Sequence, residues 1–160
     1  MPSPPPDSST DAHRPRDAEF TAAERVLLLQ LAHEAIESAL ESRPTPLSVP
    51  SRHLAQNRGV FTTLYLNGEL RGCVGYIFPV LPLYRAVFET ARAAASQDTR
   101  FQPITREEAP LLKISLSVLS ALETIRHDQI EIGKHGLLVS FGTRRGLLLP
   151  QVPVEHHWDR

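Results

Sequence analysis

The side chain best suited to chemistry in this sequence is one thiol, that of Cys73, within the stretch LRGCVG at positions 70–75. Arg71 lies two residues before it, and a nearby guanidinium favours the thiolate, the form that attacks electrophiles and binds metals. Gly72 and Gly75 leave the backbone uncovered, so a ligand or another chain segment can approach closely. A structural role stays open, because free cysteine is among the most frequently buried residue types.

This thiol lies on one strand of a predicted β-hairpin. Two runs rich in β-branched and aromatic residues flank an Asn-Gly pair, at positions 60–66 and 69–78. Asn67-Gly68 is typical of a two-residue turn with positive φ at both positions. Such a turn sets a register in which Thr62 lies opposite Cys73. Because side chains alternate along a strand, Arg71 and Cys73 are then predicted to share one face.

Two amphipathic helices and a half-buried strand are predicted to support the hairpin. Thr21 and Glu24 have the spacing of a capping box, and an apolar helical face follows as far as Ala39. A second amphipathic helix begins at Leu83 and closes near Asp98. Alternating apolar and polar residues predict a strand over 112–118.

The remaining elements are predicted to be short. A second capping box, Thr105 to Glu108, indicates a short helix. Further strands are expected at 129–132, 136–141 and 146–149, with a turn over 142–145 between the last two. Helices mixed with hairpins indicate an α+β fold with a mainly antiparallel sheet and flanking helices.

Composition limits the class of protein. The chain has 160 residues, 41% hydrophobic and 22% charged, which suits one domain over 19–160 after a Pro/Ser-rich tail over 1–18 that we expect to be disordered. The net charge of −1 gives no general attraction to nucleic acid, and no apolar run is long enough to span a membrane. One cysteine cannot form an internal disulfide, so we expect a cytoplasmic protein.

Histidines supply the other candidate groups. Gly133-Lys134-His135-Gly136 presents His135 as an acid–base group or substrate contact, or it is simply a turn whose glycines supply positive φ. His156 and His157 are adjacent and point opposite ways on an extended chain. The sequence has no HExxH or CxxC motif, so we predict no metal site.

The stretch at 70–75 resembles the signature of the AMMECR domain family, whose prokaryotic members are called AmmeMemoRadiSam system protein A. Five further stretches resemble the same family in the same order, at positions 59–64, 98–101, 132–137, 146–152 and 158–159. The resemblance implies an α+β domain with a larger and a smaller lobe. It also implies association with a Memo-type protein and a radical S-adenosylmethionine protein.

The resemblance names a site but no settled reaction or cofactor. It implies that the Cys73 motif is the active or binding site, and this carries over to Arg71, Gly72, Cys73 and Gly75. Family members continue past the Trp-Asp stretch, so we expect the C-terminal part of the domain to be missing, with apolar surface exposed near Val152, Val154 and Trp158.

Two hypotheses of different kinds follow. In the first, the protein is an enzyme in which Cys73 is the nucleophile or anchoring thiol, while Arg71, Gly72, Gly75 and His135 bind a small anionic substrate. In the second, it is a non-catalytic module that binds a partner beside the Memo-type or radical S-adenosylmethionine protein. The residues alone leave both open.

Overall fold

A computed structural model describes residues 19–159, so the tail expected over 1–18 lies outside the described residues. The chain forms two compact units, one up to Ala121 and one from Leu122 to Arg160. The α+β prediction is confirmed: helices accompany a three-stranded and a two-stranded antiparallel sheet. Within residues 19–159, no helix combines the length and apolar character that crossing a bilayer needs.

Helix α1, Ala22–Leu40, begins at the predicted capping box. Glu24 N–H donates to the Thr21 hydroxyl oxygen over 3.2 Å, and Thr21 N–H donates to the Glu24 carboxylate over 2.9 Å. These bonds satisfy two amides that a helix start otherwise leaves without partners. The apolar face of α1 is buried in the core of the first unit.

The first unit contains the hairpin, a second helix and a third strand. These are β1 (Val60–Leu66), β2 (Glu69–Tyr76), α2 (Leu83–Ser96) and β3 (Lys113–Val118). The sheet order is β2-β1-β3, so β1 is central and β2 is an edge strand. Alternate β1 residues Val60, Thr62 and Leu64 are fully buried on the face that α2 covers. There the Thr62 and Thr90 hydroxyl oxygens lie 2.8 Å apart.

The predicted hairpin register is wrong beyond the turn. Asn67 and Gly68 both have positive φ, and the pairs next to the turn form as expected. The register then shifts at a β-bulge, because Tyr65 pairs with Leu70 whereas Leu64 pairs with Gly72. Arg71 is the additional residue, and Cys73 lies opposite Thr63 rather than Thr62.

The bulge decides which face of the sheet carries the thiol. A shift of one residue exchanges the two faces of a strand. Without the bulge, Cys73 would point into the core beside Thr62; with it, Cys73 lies on the opposite face with Thr63. Val74 takes the inward position and packs against the core.

The physical reason for the bulge is the packing of Gly72 on α2. A Cβ built on Gly72 would lie only 2.3 Å from the carbonyl oxygen of Ala94. In the unshifted register Arg71 would occupy this position opposite Leu64, and its Cβ would meet the same atom. Only glycine fits there, so the helix selects the bulged register.

The segment after α2 departs from the predicted short helix. Both capping-box hydrogen bonds form between Thr105 and Glu108, but a turn and a 3-10 helix, Ala109–Leu111, follow instead of an α-helix. Pro110 has no N–H for a helical hydrogen bond, which favours this shorter element.

The second unit contains β4 (Leu137–Phe141), β5 (Arg144–Leu148) and α3 (Gln151–Glu155). The strand predicted over 129–132 is wrong, because a 3-10 helix, His127–Gln129, and a turn occupy this region. The predicted four-residue turn is also wrong: Phe141 pairs with Arg144, so only Gly142 and Thr143 form the turn. Val154 and Trp158 are each 53% exposed as expected, whereas Val152 is half-buried.

Candidate functional site

Cys73 lies half-buried on the edge strand β2, on the face away from α2. Its Sγ atom is 3.3 Å from the hydroxyl oxygen of Thr63, its partner on β1. Its backbone N–H donates outward over 2.8 Å to Oδ2 of Asp98, which follows α2. The thiol is therefore held by a neighbouring strand and by the chain that follows the helix.

Arg71 does not leave its positive charge free for a ligand. Its Nε and Nη2 atoms each donate to the Glu108 carboxylate over 3.0 Å. Nη1 and Nη2 also donate to the carbonyl oxygens of Gln102 and Pro103, over 2.7 and 3.3 Å. The Arg71 side chain is only 16% exposed. Its observed role is to fasten residues 102–108 to the bulge of β2.

The ion pair also affects Glu108. The Arg71 hydrogen bond, followed by the Thr105 backbone N–H, holds the pKa of Glu108 below its ordinary value. The carboxylate thus stays charged and anchored at neutral pH, where it completes both the capping box and the contact with β2.

The two glycines of the motif face protein rather than open space. Gly72 packs on the Ala94 carbonyl of α2, and a Cβ built on Gly75 would lie 2.4 Å from the ring of Phe61. The glycines allow either a ligand or another chain segment to approach closely, and in this structure other chain segments do so. Their small size serves packing around the thiol.

The carboxylate that accepts the Cys73 N–H also binds a cation, Arg100. Its Nε and Nη2 atoms donate to the Asp98 carboxylate over 2.9 and 2.7 Å, and its backbone N–H donates over 3.2 Å. The Asp98 side chain is 6% exposed, whereas that of Arg100 is 56% exposed. The Asp98 hydrogen bond raises the pKa of Arg100.

Asp98 is held firmly in its charged form. The Arg100 side chain, followed by the backbone N–H groups of Cys73 and Arg100, keeps the pKa of Asp98 well below its ordinary value, although burial opposes this. A carboxylate that stays ionised is an acceptor only, so Asp98 binds and orients its neighbours.

Sequence reasoning missed three of these residues as parts of the site: Thr63, Asp98 and Arg100. The available signal was the stretch at 98–101, which resembles the family but was not connected to Cys73. Asp98 lies 25 residues after Cys73 in the chain. Spacing alone could not show that the end of α2 returns to the edge of β2.

His135 belongs to the second unit. It closes the turn that begins at Glu131, with Gly133 at φ +80°. The Glu131 N–H donates over 3.1 Å to Nδ1 of His135, so in the neutral ring the proton lies on Nε2. His135 also lines a cavity of about 280 Å³. Most of the other side chains around this cavity are apolar: Ile130, Ile132, Leu137, Leu148, Pro153 and Trp158.

The metal-capable side chains do not assemble into a metal site within residues 19–159. No group of three or more histidine, cysteine, aspartate or glutamate side chains lies in a metal-binding arrangement there. His156 instead stacks on Trp158, with ring centroids 5.2 Å apart.

Comparison with known proteins establishes the family. The AMMECR1 sequence profile matches residues 29–160. A Methanopyrus kandleri protein is 44% identical over 151 residues, covering 88% of this chain and 73% of its own. A Methanocaldococcus jannaschii protein is 38% identical over 149 residues, covering 88% and 74%. The crystal structure of an uncharacterised Pyrococcus horikoshii protein superposes with a TM-score of 0.82 at 35% identity, covering 89% and 76%. The chain belongs to the AMMECR1 family.

Proposed function

We propose that the Cys73 hairpin binds a small anionic ligand. Cys73 is the anchoring or nucleophilic thiol, and Arg100 is the positively charged side chain that contacts the ligand. The observation that carries this proposal is the position of Arg100, which is more than half exposed and donates to the same Asp98 oxygen that accepts the Cys73 backbone N–H. Arg71, the cation adjacent in sequence, is engaged by Glu108 and two carbonyl oxygens.

The chemistry of the pair supports this assignment. A guanidinium near a thiol favours the thiolate, and its planar fork matches carboxylate or phosphate oxygens. Asp98 engages Arg100 through Nε and Nη2. Within residues 19–159, Nη1 of Arg100 makes no hydrogen bond, so it can donate to an incoming anion. Thr63 places a hydroxyl beside the sulfur, where it can donate to a thiolate or to a bound oxygen.

The test is capture of small molecules by the purified protein, with bound species identified by mass spectrometry. We expect wild type to retain an anionic species that both Cys73→Ser and Arg100→Gln fail to retain. Arg85→Gln is the matched control, because Arg85 is an exposed arginine on α2 outside the proposed site. The Arg85→Gln variant should retain the anionic species. Equal retention by wild type and Arg100→Gln would contradict the assignment of the cation.

A second candidate is a non-catalytic module that works with a Memo-type and a radical S-adenosylmethionine protein. It is favoured by the surroundings of the sulfur: among residues 19–159, its one hydrogen-bond partner is Thr63. An enzyme that uses a cysteine nucleophile commonly places a base beside it. Mixing the purified proteins and measuring complex formation by sedimentation tests this candidate. A complex that persists with Cys73→Ser would support the module, and absence of a complex with wild type would count against it.

A further inference from the structure

We infer that Asp98 is a positioning residue that holds Arg100 beside Cys73. This inference rests on the proposed role of Arg100, and it concerns how the site is built. Asp98 joins the two groups directly, because its carboxylate accepts hydrogen bonds from the backbone of Cys73 and from the Arg100 side chain.

The first step of the argument is the edge of the sheet. The N–H of Cys73 points away from β1, toward the edge where, among residues 19–159, no further strand pairs with β2. Oδ2 of Asp98 accepts this N–H over 2.8 Å, in the manner of a strand partner. The position of the carboxylate is therefore tied to the backbone that carries the thiol.

The second step is the guanidinium. Two parallel N–H donors of Arg100 meet Asp98, a geometry that fixes the plane and direction of the side chain. The Arg100 Cζ atom also lies 5.4 Å from the centre of the Phe101 ring. An arginine that is 56% exposed would otherwise sample many rotamers, so the nearly buried Asp98 supplies most of its order.

The third step concerns what Asp98 does not do. Its oxygens already accept four hydrogen bonds, from Cys73 N–H and from three N–H groups of Arg100. It stays ionised at neutral pH for the reasons given above. Asp98 therefore acts on the thiol through Arg100 and through the backbone, and does not exchange protons with a ligand.

The direction in which Asp98→Asn changes the attraction of anions to the thiol distinguishes two roles of Asp98, positioning Arg100 and supplying a negative charge. Replacing Asp98 by asparagine removes one negative charge near the thiol, which by itself would make its surroundings more attractive to anions. If Asp98 positions Arg100, the same substitution releases the guanidinium and makes the surroundings less attractive. The two explanations therefore predict changes in opposite directions.

The experiment compares alkylation of Cys73 by iodoacetate, an anion, and by iodoacetamide, which is neutral. Cys73 is the only cysteine, so all alkylation reports on this site. Both reagents consume the thiolate, so the ratio of their rate constants cancels the thiolate fraction and reports the local potential. The ratio is the rate constant for iodoacetate divided by that for iodoacetamide. We expect this ratio for Arg100→Gln to fall at least about threefold below that of wild type at low salt, because the variant loses one positive charge a few ångströms from the thiol.

Asp98→Asn should lower the ratio to nearly the Arg100→Gln value, and the double variant should lower it no further. Circular dichroism and thermal melting identify variants that remain folded. A ratio for Asp98→Asn at or above that of wild type would overturn the positioning role, while leaving the proposed role of Arg100 intact. An unchanged ratio for Arg100→Gln would instead contradict the proposed function.

A second variant keeps the test decisive if Asp98→Asn does not fold. Arg100→Lys keeps the charge but cannot make the two parallel hydrogen bonds to Asp98. Positioning predicts that its ratio falls toward that of Arg100→Gln. A wild-type ratio in Arg100→Lys would show that charge alone is sufficient and would refute the inference.

Discussion

The contact between Gly72 and α2 gives the sharpest prediction about stability. Substituting alanine at position 72 would place Cβ 2.3 Å from the Ala94 carbonyl oxygen and 3.2 Å from its carbon. Both atoms belong to a helix backbone, which cannot rotate away as a side chain can. Overpacking of this kind costs about 1–3 kcal/mol, and a backbone contact this short favours the upper end.

A smaller effect opposes this cost. Alanine reduces the conformational entropy of the unfolded chain relative to glycine, which stabilises the folded state by about 0.4–1 kcal/mol where φ is ordinary. We therefore expect Gly72→Ala to lower the free energy of unfolding by about 2 kcal/mol, from the difference of the two effects. In a chain of this length that corresponds to a fall in Tm of about 4–8 °C.

Urea denaturation followed by circular dichroism measures the change. Gly146→Ala is the matched control, because a Cβ at Gly146 meets no atom within 4 Å and the backbone there has no positive φ. Its free energy of unfolding should stay within about 0.5 kcal/mol of wild type. If Gly72→Ala were equally mild, the close packing of β2 on α2, and with it our reason for the bulge, would be wrong.

Three further predictions concern other parts of the molecule. The pKa of Asp98 is lowered in the folded state, so the stability that its ionised form contributes is complete above about pH 4 and is lost as the pH falls further. Urea titrations should therefore show that acid lowers the free energy of unfolding less for Asp98→Asn than for wild type. In the same assay, Thr90→Val should cost about 1–3 kcal/mol because it leaves the buried Thr62 hydroxyl without a partner. Thr62→Val should cost less, because the Thr90 hydroxyl still donates to a carbonyl of its own helix. Val139 and Phe141 share one face of β4 and are 62% and 86% exposed, so we expect self-association that Phe141→Ser reduces in sedimentation velocity. A wild type that stays monomeric at high concentration would contradict this.

The choice of cation shows where sequence reasoning about the site reached its limit. Arg71 is two residues from Cys73, and proximity in the chain made it the expected partner of the thiol. In the folded protein its guanidinium turns to Glu108, 37 residues later, where a capping box already holds a carboxylate in place. Arg100, 27 positions after Cys73, is joined to the Cys73 backbone through the Asp98 carboxylate.

Features that depend on neighbours in the chain could be predicted from the sequence. The capping box of Thr21 and Glu24 and the turn at Asn67-Gly68 form as expected, because their hydrogen bonds and φ angles involve only a few consecutive residues. The two long helices and the alternating strand β3 also follow from apolar periodicity, which depends only on one element having one buried face. The weaker patterns after Ala121 did not predict the strand bounds, since few apolar positions there are fully buried.

The face on which Cys73 lies was decided only by tertiary structure. Local turn chemistry favoured a register that points the thiol into the core, and it contained no information about what would pack on β2. The carbonyl of Ala94, 22 positions after Gly72, leaves room for glycine alone, and the strand gains one residue at Arg71 to place that glycine correctly. The same register turns the Cys73 side chain to the opposite face, beside Thr63, because a shift of one residue reverses the direction of every side chain that follows. The backbone N–H of Cys73 points to the edge of the sheet, where Asp98 accepts it.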